Sequence, residues 1–210
     1  MKLKYNAPAS LTFALVATLV LLIDVSVMPG IIEALFTAEG SKTFRVDNIP
    51  AYVRMFTHVF GHASWDHLLA NLTLILLLGP ILEEKHGTRP LAWMMVFTAG
   101  INGLINALFF ETQLIGSSGI AFMMILLVSF ANTSAGEFPL SAILVVGLYL
   151  FKELLAIFRY DDVSQVSHLI GAACGAIYGF ARTVGAGRAA RRQKSSPPPA
   201  GAAPGSTIVN

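Results

Sequence analysis

The sequence predicts an all-α membrane protein, a bundle of six spanning helices. Two observations carry that prediction. Apolar residues make up 55% of the 210-residue chain and charged residues only 12%, about half the charged share of a soluble domain. Such a chain lacks the polar side chains to cover a water-facing surface, and its mean hydropathy is +0.67. The apolar residues also gather into six segments, approximately 9–28, 68–83, 91–110, 117–131, 139–158 and 164–182. A spanning helix needs about 20 such residues.

The first segment follows Lys2 and Lys4, as the apolar run of a signal peptide would. It is long, it ends at Asp24 and Pro29-Gly30, and it lacks a small-x-small cleavage site, so it reads as a retained span. The third segment is of full length. The second and fourth are short, and Lys152 and Glu153 interrupt the fifth. Short segments are tolerated where protein rather than lipid surrounds them. The fourth therefore reads as a helix beginning below the membrane surface, with room for water above it. Residues 1–182 form the membrane domain, and 183–210 a basic, Pro/Ala/Gly-rich tail expected to be disordered.

Orientation follows the excess of Lys and Arg on one side. Lys2, Lys4, Lys85, Arg89 and the basic residues from Arg182 to Lys194 outnumber Lys42, Arg45, Arg54 and Arg159 on the other. Both termini are thus expected in the cytoplasm. The net charge of +2 gives no reason to expect a nucleic-acid partner. Cys174 is the sole cysteine, so no internal disulfide forms, and it reads as a packing residue.

With six spans, the second, fourth and sixth run in the same direction, so their N-termini share one face of the membrane. His62, His67 and Asn71 lie at the start of the second, Ser118 at the start of the fourth and His168 at the start of the sixth. Polar side chains at membrane depth are expensive and mark sites of function. Gly171, Gly175 and Gly179 recur every fourth residue and share a helix face with His168. Such a small-residue face lets two helices approach closely, which would bring His168 to Ser118 if the neighbour is the fourth span.

A serine hydroxyl needs a base to become a nucleophile, and His168 is the only histidine in the C-terminal half. Gly116 and Gly119 flank the serine pair and leave room for a substrate backbone. The helix starting there offers free N–H groups and its positive dipole end. The Ser118 N–H, with His62 and Asn71 as side-chain donors, would form an oxyanion hole. Asp161 and Asp162 are poorly placed to complete a triad, so a Ser–His dyad is expected. His58 and His62 have the i, i+4 spacing of a metal pair, but no HExxH motif or suitably placed acid accompanies them, and no metal is expected. Asn102 and Asn106 share a face and read as interhelical hydrogen-bonding residues. Glu83, Glu84, Lys85 and Arg89 read as a solvated turn, with Glu83 placed to tie helices together. Ser64 and Asp66 are N-cap candidates for the second span.

The stretch RMFTHVFGHASWDHLLANLTLILLLG, carrying Arg54, His58, His62, His67 and Asn71, resembles the rhomboid family of intramembrane serine proteases. Glu83 and Gly87 resemble the family's loop after its second span. Gly116-Ser117-Ser118-Gly119 resembles its GxSG motif, with Ser118 as nucleophile and Ser117 at the variable position. His168-Leu-Ile-Gly171-Ala-Ala-Cys-Gly175 resembles its HxxGxxxG motif. The resemblance runs from about Arg54 to Gly179. It implies a six-helix core in the lipid bilayer, no cofactor, and cleavage of transmembrane protein substrates near the outer face. It also implies a partly embedded loop over 29–66, a cap over 159–165 and a mobile fifth span. The size resembles bacterial members, implying an inner-membrane protein whose site opens outward. Two positions depart from the family pattern. Phe122 stands where a tyrosine often stacks on the histidine, and Val53 where a tryptophan often precedes the loop arginine. His67 reads as a supporting residue near the site. The competing reading is a catalytically silent rhomboid-like binder of membrane clients, though Ser118, His168 and Asn71 together are a set that a binder does not need. A transporter reading lacks the internal repeat that such folds show.

Overall fold

The computed structural model describes residues 4–130, 139–141, 143–144, 147–148, 151 and 163–195. Among these residues the chain is helical, with a single isolated antiparallel bridge between Ala38 and Leu114. Helix α1 covers Pro8–Ser26, with its proline in the first turn, where the missing N–H has no helical acceptor to lose. Asp24 ends it by accepting from the N–H groups of Gly30 and Ile32 at 3.1 and 3.0 Å. Gly30 takes the left-handed conformation that turns the chain into the short α2, Ile31–Leu35. Helix α3, Ile49–Thr57, leads into a 3₁₀ turn at His58–Phe60.

Helix α4 runs Trp65–His86 and α5 runs Thr88–Phe109, joined at Gly87. Ser64 caps α4, its hydroxyl accepting the His67 N–H at 3.1 Å, whereas Asp66 lies within the first turn. Helix α6, Ser118–Ser129, has 12 residues, and α7 is the 33-residue Val163–Ser195. Helices α1, α4 and α5 are long and apolar enough to cross a membrane. Helices thus occupy the first, second, third, fourth and sixth expected segments. Most of the fifth, and most of the expected cap over 159–165, lies outside the described residues. One boundary differs from expectation. Helix α7 does not stop near 182 but continues to Ser195, because Ala and Arg sustain a helix wherever it runs. The remainder of the tail lies outside the described residues.

The short α6 is the hub. Helices α4, α5 and α7 all pack on it, and Ile120, Ala121, Met123, Met124, Leu126 and Leu127 are buried around its circumference. Leu68, Ile75 and Leu82 of α4 and Leu91 and Met95 of α5 complete the core. The outer faces are also apolar, with Leu69, Leu77, Trp93, Phe97 and Leu108 exposed. A protein that presents large apolar side chains on its perimeter as well as in its core is solvated by lipid, not water.

The α6–α7 seam is built from glycine. A β-carbon on Gly171 would lie 2.0 Å from the Gly119 carbonyl oxygen, and one on Gly175 2.2 Å from that of Met123. Gly179 is similarly close to the Phe130 ring. The three-glycine face therefore packs against the fourth segment, as the spacing predicts. At the opposite end Glu83 is buried rather than solvated. Its carboxylate accepts from Ser10 N at 2.9 Å, Ser10 Oγ at 2.8 Å and Ala9 N at 3.1 Å. It thereby caps α1 and ties it to α4 by charge-assisted bonds.

Candidate active site

The segment from His58 to Asn71 and the turn before α6 are fitted to one another. His58 is buried, its Nδ1 3.0 Å from the Met55 carbonyl. The His58 carbonyl in turn accepts the Gly116 N–H at 3.0 Å. Gly116 has φ of +106°, and a β-carbon there would lie 2.7 Å from Cε1 and Nε2 of His67. Both the left-handed backbone and the closeness of the imidazole require glycine at this position. Ser117 follows as the N-cap residue of α6, fully buried, with its Oγ 3.1 Å from His62 Nε2. The rings of His62 and His67 meet edge to face, centroids 5.0 Å apart.

Ser118 is the first residue of α6 and is half-buried. The first N–H groups of a helix have no partner within it and point to whatever lies before it. Asn71 lies one turn beyond His67 on α4, which sets both on one face. The Asn71 amide is buried, and its Nδ2 has no hydrogen-bond partner. That nitrogen is 3.8 Å from the position of a β-carbon on Gly116. A buried donor left unsatisfied is rare and needs a reason.

From the other side, α7 delivers His168. Its half-buried imidazole stacks on the Phe122 ring, centroids 4.4 Å apart and planes 19° from parallel. Phe122 is one helical turn after Ser118, so the stack holds His168 over the face of α6 that carries the serine. The packing of Gly171 on Gly119 fixes the same register, three residues after the histidine. Asn102 Nδ2 and Ser167 Oγ lie 2.8 and 3.1 Å from where a β-carbon on Gly119 would be.

Burial pushes the imidazoles of His58 and His62 down to about 4, so both are neutral near pH 7. Asn106 donates to the backbone carbonyls of Glu39 and Thr112, at 3.2 and 3.0 Å. It therefore anchors loops rather than bridging helices, and the Asn102 amide donates to Thr98 within its own helix at 3.0 Å. Arg54 pairs with Glu39 and stabilises the loop before α3. Sequence reasoning overlooked two features. The His67–Asn71 spacing of four residues marks a shared face that His62, lying before the helix, does not join. The Ser117–His62 contact crosses 55 residues and has no local signature.

The Rhomboid domain family matches residues 50–184, which includes every residue of this cluster. The chain is similar to Rhomboid-like protein 11, chloroplastic, of Arabidopsis thaliana, 23% identical over 159 residues that cover 68% of this chain and 57% of that one. It is also similar to Rhomboid protease GlpG of Yersinia pseudotuberculosis, 29% identical over 132 residues, 60% of this chain and 47% of that one. The chain spans about half the length of these relatives. A match over more than half of its sequence, on a helical fold with membrane-spanning segments, identifies the chain as an integral membrane protein that belongs to the rhomboid family.

Proposed function

We propose that this protein is an intramembrane serine endopeptidase that cleaves transmembrane protein substrates, with Ser118 as nucleophile and His168 as its base. The observation that carries the proposal is the convergence at the start of α6. Ser118 sits at a helix N-terminus, His168 is held over its face by Phe122, and the buried Asn71 amide lacks a partner beside Gly116. In the reaction, His168 takes the Ser118 hydroxyl proton as Oγ attacks the scissile carbonyl carbon. The oxyanion accepts hydrogen bonds from the Ser118 N–H and Asn71 Nδ2. His168 then gives the proton to the departing amine, and water hydrolyses the acyl-enzyme by the same steps in reverse order.

For the remaining side-chain donor, the contact distances favour His67 over His62. The His67 ring abuts Gly116 and shares a helix face with Asn71, whereas His62 Nε2 is engaged by Ser117. Substrates are transmembrane helices, and the site opens toward the outer side with both termini in the cytoplasm. The Lys and Arg distribution supports that orientation. A bacterial inner membrane is the proposed location. The test is cleavage of a transmembrane reporter by purified protein in proteoliposomes, alongside labelling with a fluorophosphonate. Wild type should cleave and be labelled, and Ser118→Ala should do neither. A folded wild type that is neither labelled nor active on several reporters would favour the client-binding alternative.

A further inference from the structure

Ser117 occupies the variable position of the GxSG motif, where nothing in the reaction demands a hydroxyl. It is nevertheless fully buried and polar. An N-cap serine ordinarily accepts from an N–H in the first turn of its own helix, but the Ser117 side chain caps nothing on α6. Its hydroxyl is spent on His62 Nε2, 3.1 Å away. His62 is itself buried, and its ring meets the edge of His67, whose imidazole would be 2.7 Å from a β-carbon on Gly116. The contacts thus form a closed circuit: Ser117 to His62, His62 to His67, His67 to Gly116, and Gly116 back to Ser117 along the chain.

We propose that Ser117 is a positioning residue. Its hydroxyl fixes the plane of the His62 ring, and that ring braces His67 in the orientation that serves the oxyanion. The inference rests on the reading of Ser118 as nucleophile and His67 as an oxyanion donor. Without the hydroxyl, His62 Nε2 loses that hydrogen bond, the ring is held less firmly in its plane, and the edge contact that limits the tilt of His67 is loosened. Misplacement of a donor weakens transition-state binding far more than substrate binding, so the loss falls on kcat and leaves KM in place.

The test is a double-mutant cycle of Ser117→Ala with His67→Ala, read as turnover, together with NMR of the protein carrying ¹³C,¹⁵N-labelled histidine. Five histidines in the chain keep the ring resonances assignable. Ser117→Ala removes no helix cap, so the fold is expected to survive, and helical circular dichroism checks it. In the wild-type background kcat should fall on the order of tenfold with KM unchanged. In the His67→Ala background the same substitution should change kcat less than twofold. The ring resonances of both His62 and His67 should shift, while those of His86 hold. An equal loss in both backgrounds, no loss in either, or a shift confined to His62 would each overturn the proposal. A wild type without turnover would instead refute the protease reading, and the ring resonances would still report whether His62 and His67 are coupled.

Discussion

Gly171→Ala is the sharpest probe of the α6–α7 seam. The added methyl carbon would sit 2.0 Å from the Gly119 carbonyl oxygen, 2.7 Å from its carbonyl carbon and 2.9 Å from its α-carbon. All three are backbone atoms of a buried helix, so no side chain can swing aside. Restoring an ordinary contact requires the helices to part by about 1 Å or more. Overpacking of this kind costs about 1–3 kcal/mol in a well-packed core. The larger effect falls on the proposed chemistry, because Gly119 follows Ser118, the proposed nucleophile, and Gly171 lies three residues after His168, its proposed base. A displacement of about 1 Å between reacting groups lowers a rate on the order of 10²-fold. Gly185→Ala is the control, since that exposed position on the same helix has open space where its β-carbon would lie. Thermal unfolding in detergent and turnover of a transmembrane reporter read the two effects. Gly171→Ala should lower both Tm and turnover, and Gly185→Ala neither. A Gly171→Ala protein with the Tm and turnover of wild type would refute the claim that this seam sets the distance between Ser118 and His168, the proposed nucleophile and base.

Further outcomes follow from the same geometry. Glu83→Ala strips three donors of α1 of their acceptor and should lower stability by about 2–4 kcal/mol, measured by denaturant or thermal unfolding, with Glu83→Gln milder because an acceptor oxygen remains. Asn71→Ala should slow turnover on the order of 10²-fold without loss of fold, and full activity would remove the amide from the oxyanion site. Phe122→Ala should reduce turnover by releasing the His168 ring from its stack, while Phe122→Tyr keeps the platform and most of the rate. Acid should destabilise the protein. His58 and His62 titrate at about 4 when folded against 6.5 ordinarily, so the unfolded chain binds more protons between those values. Their contribution is present above pH 6.5 and falls as pH drops through the window, by about 3 kcal/mol in total between pH 6.5 and 5. An unchanged Tm at pH 5 would contradict their burial as neutral groups.

What the sequence revealed and what it hid have physical reasons. Hydropathy located α1, α5 and α6 to within about three residues, because their apolar runs and their helical extents nearly coincide. It understated α4 and α7, since Trp65–His67, Glu84–His86 and the Arg-rich end of α7 are polar yet helical. Helix registry governs those ends, not solvent. The glycine ladder was legible because period-four spacing is a local signal. Pairing between distant segments has no such signal. The Ala38–Leu114 bridge and the Phe110 carbonyl accepting from Ser41 N tie the loop before α3 to the loop before α6, yet neither loop has periodicity to announce it. His62 and His67 both read as polar residues near one membrane face. Only the position of α6 relative to α4 separates the ring that meets Ser117 from the ring that meets Gly116.

The brevity of α6 has a consequence for how the protein meets membranes of different thickness. At 12 residues it is about 18 Å long, well short of a hydrocarbon core of about 30 Å. A lipid-facing helix of that length would pinch the bilayer around it. Here α4, α5 and α7 pack around it, and hydrophobic matching falls to the 22-residue α4 and α5. The depth of Ser118 is therefore a fixed offset from the protein's own rim, insulated from the thickness of the surrounding lipid. A client helix has no such insulation, because its hydrophobic length sets how high it rides against that rim. With Ser118 as the proposed nucleophile, the same serine would then meet different peptide bonds across membranes of different thickness, and the bilayer would become a determinant of which bond is presented.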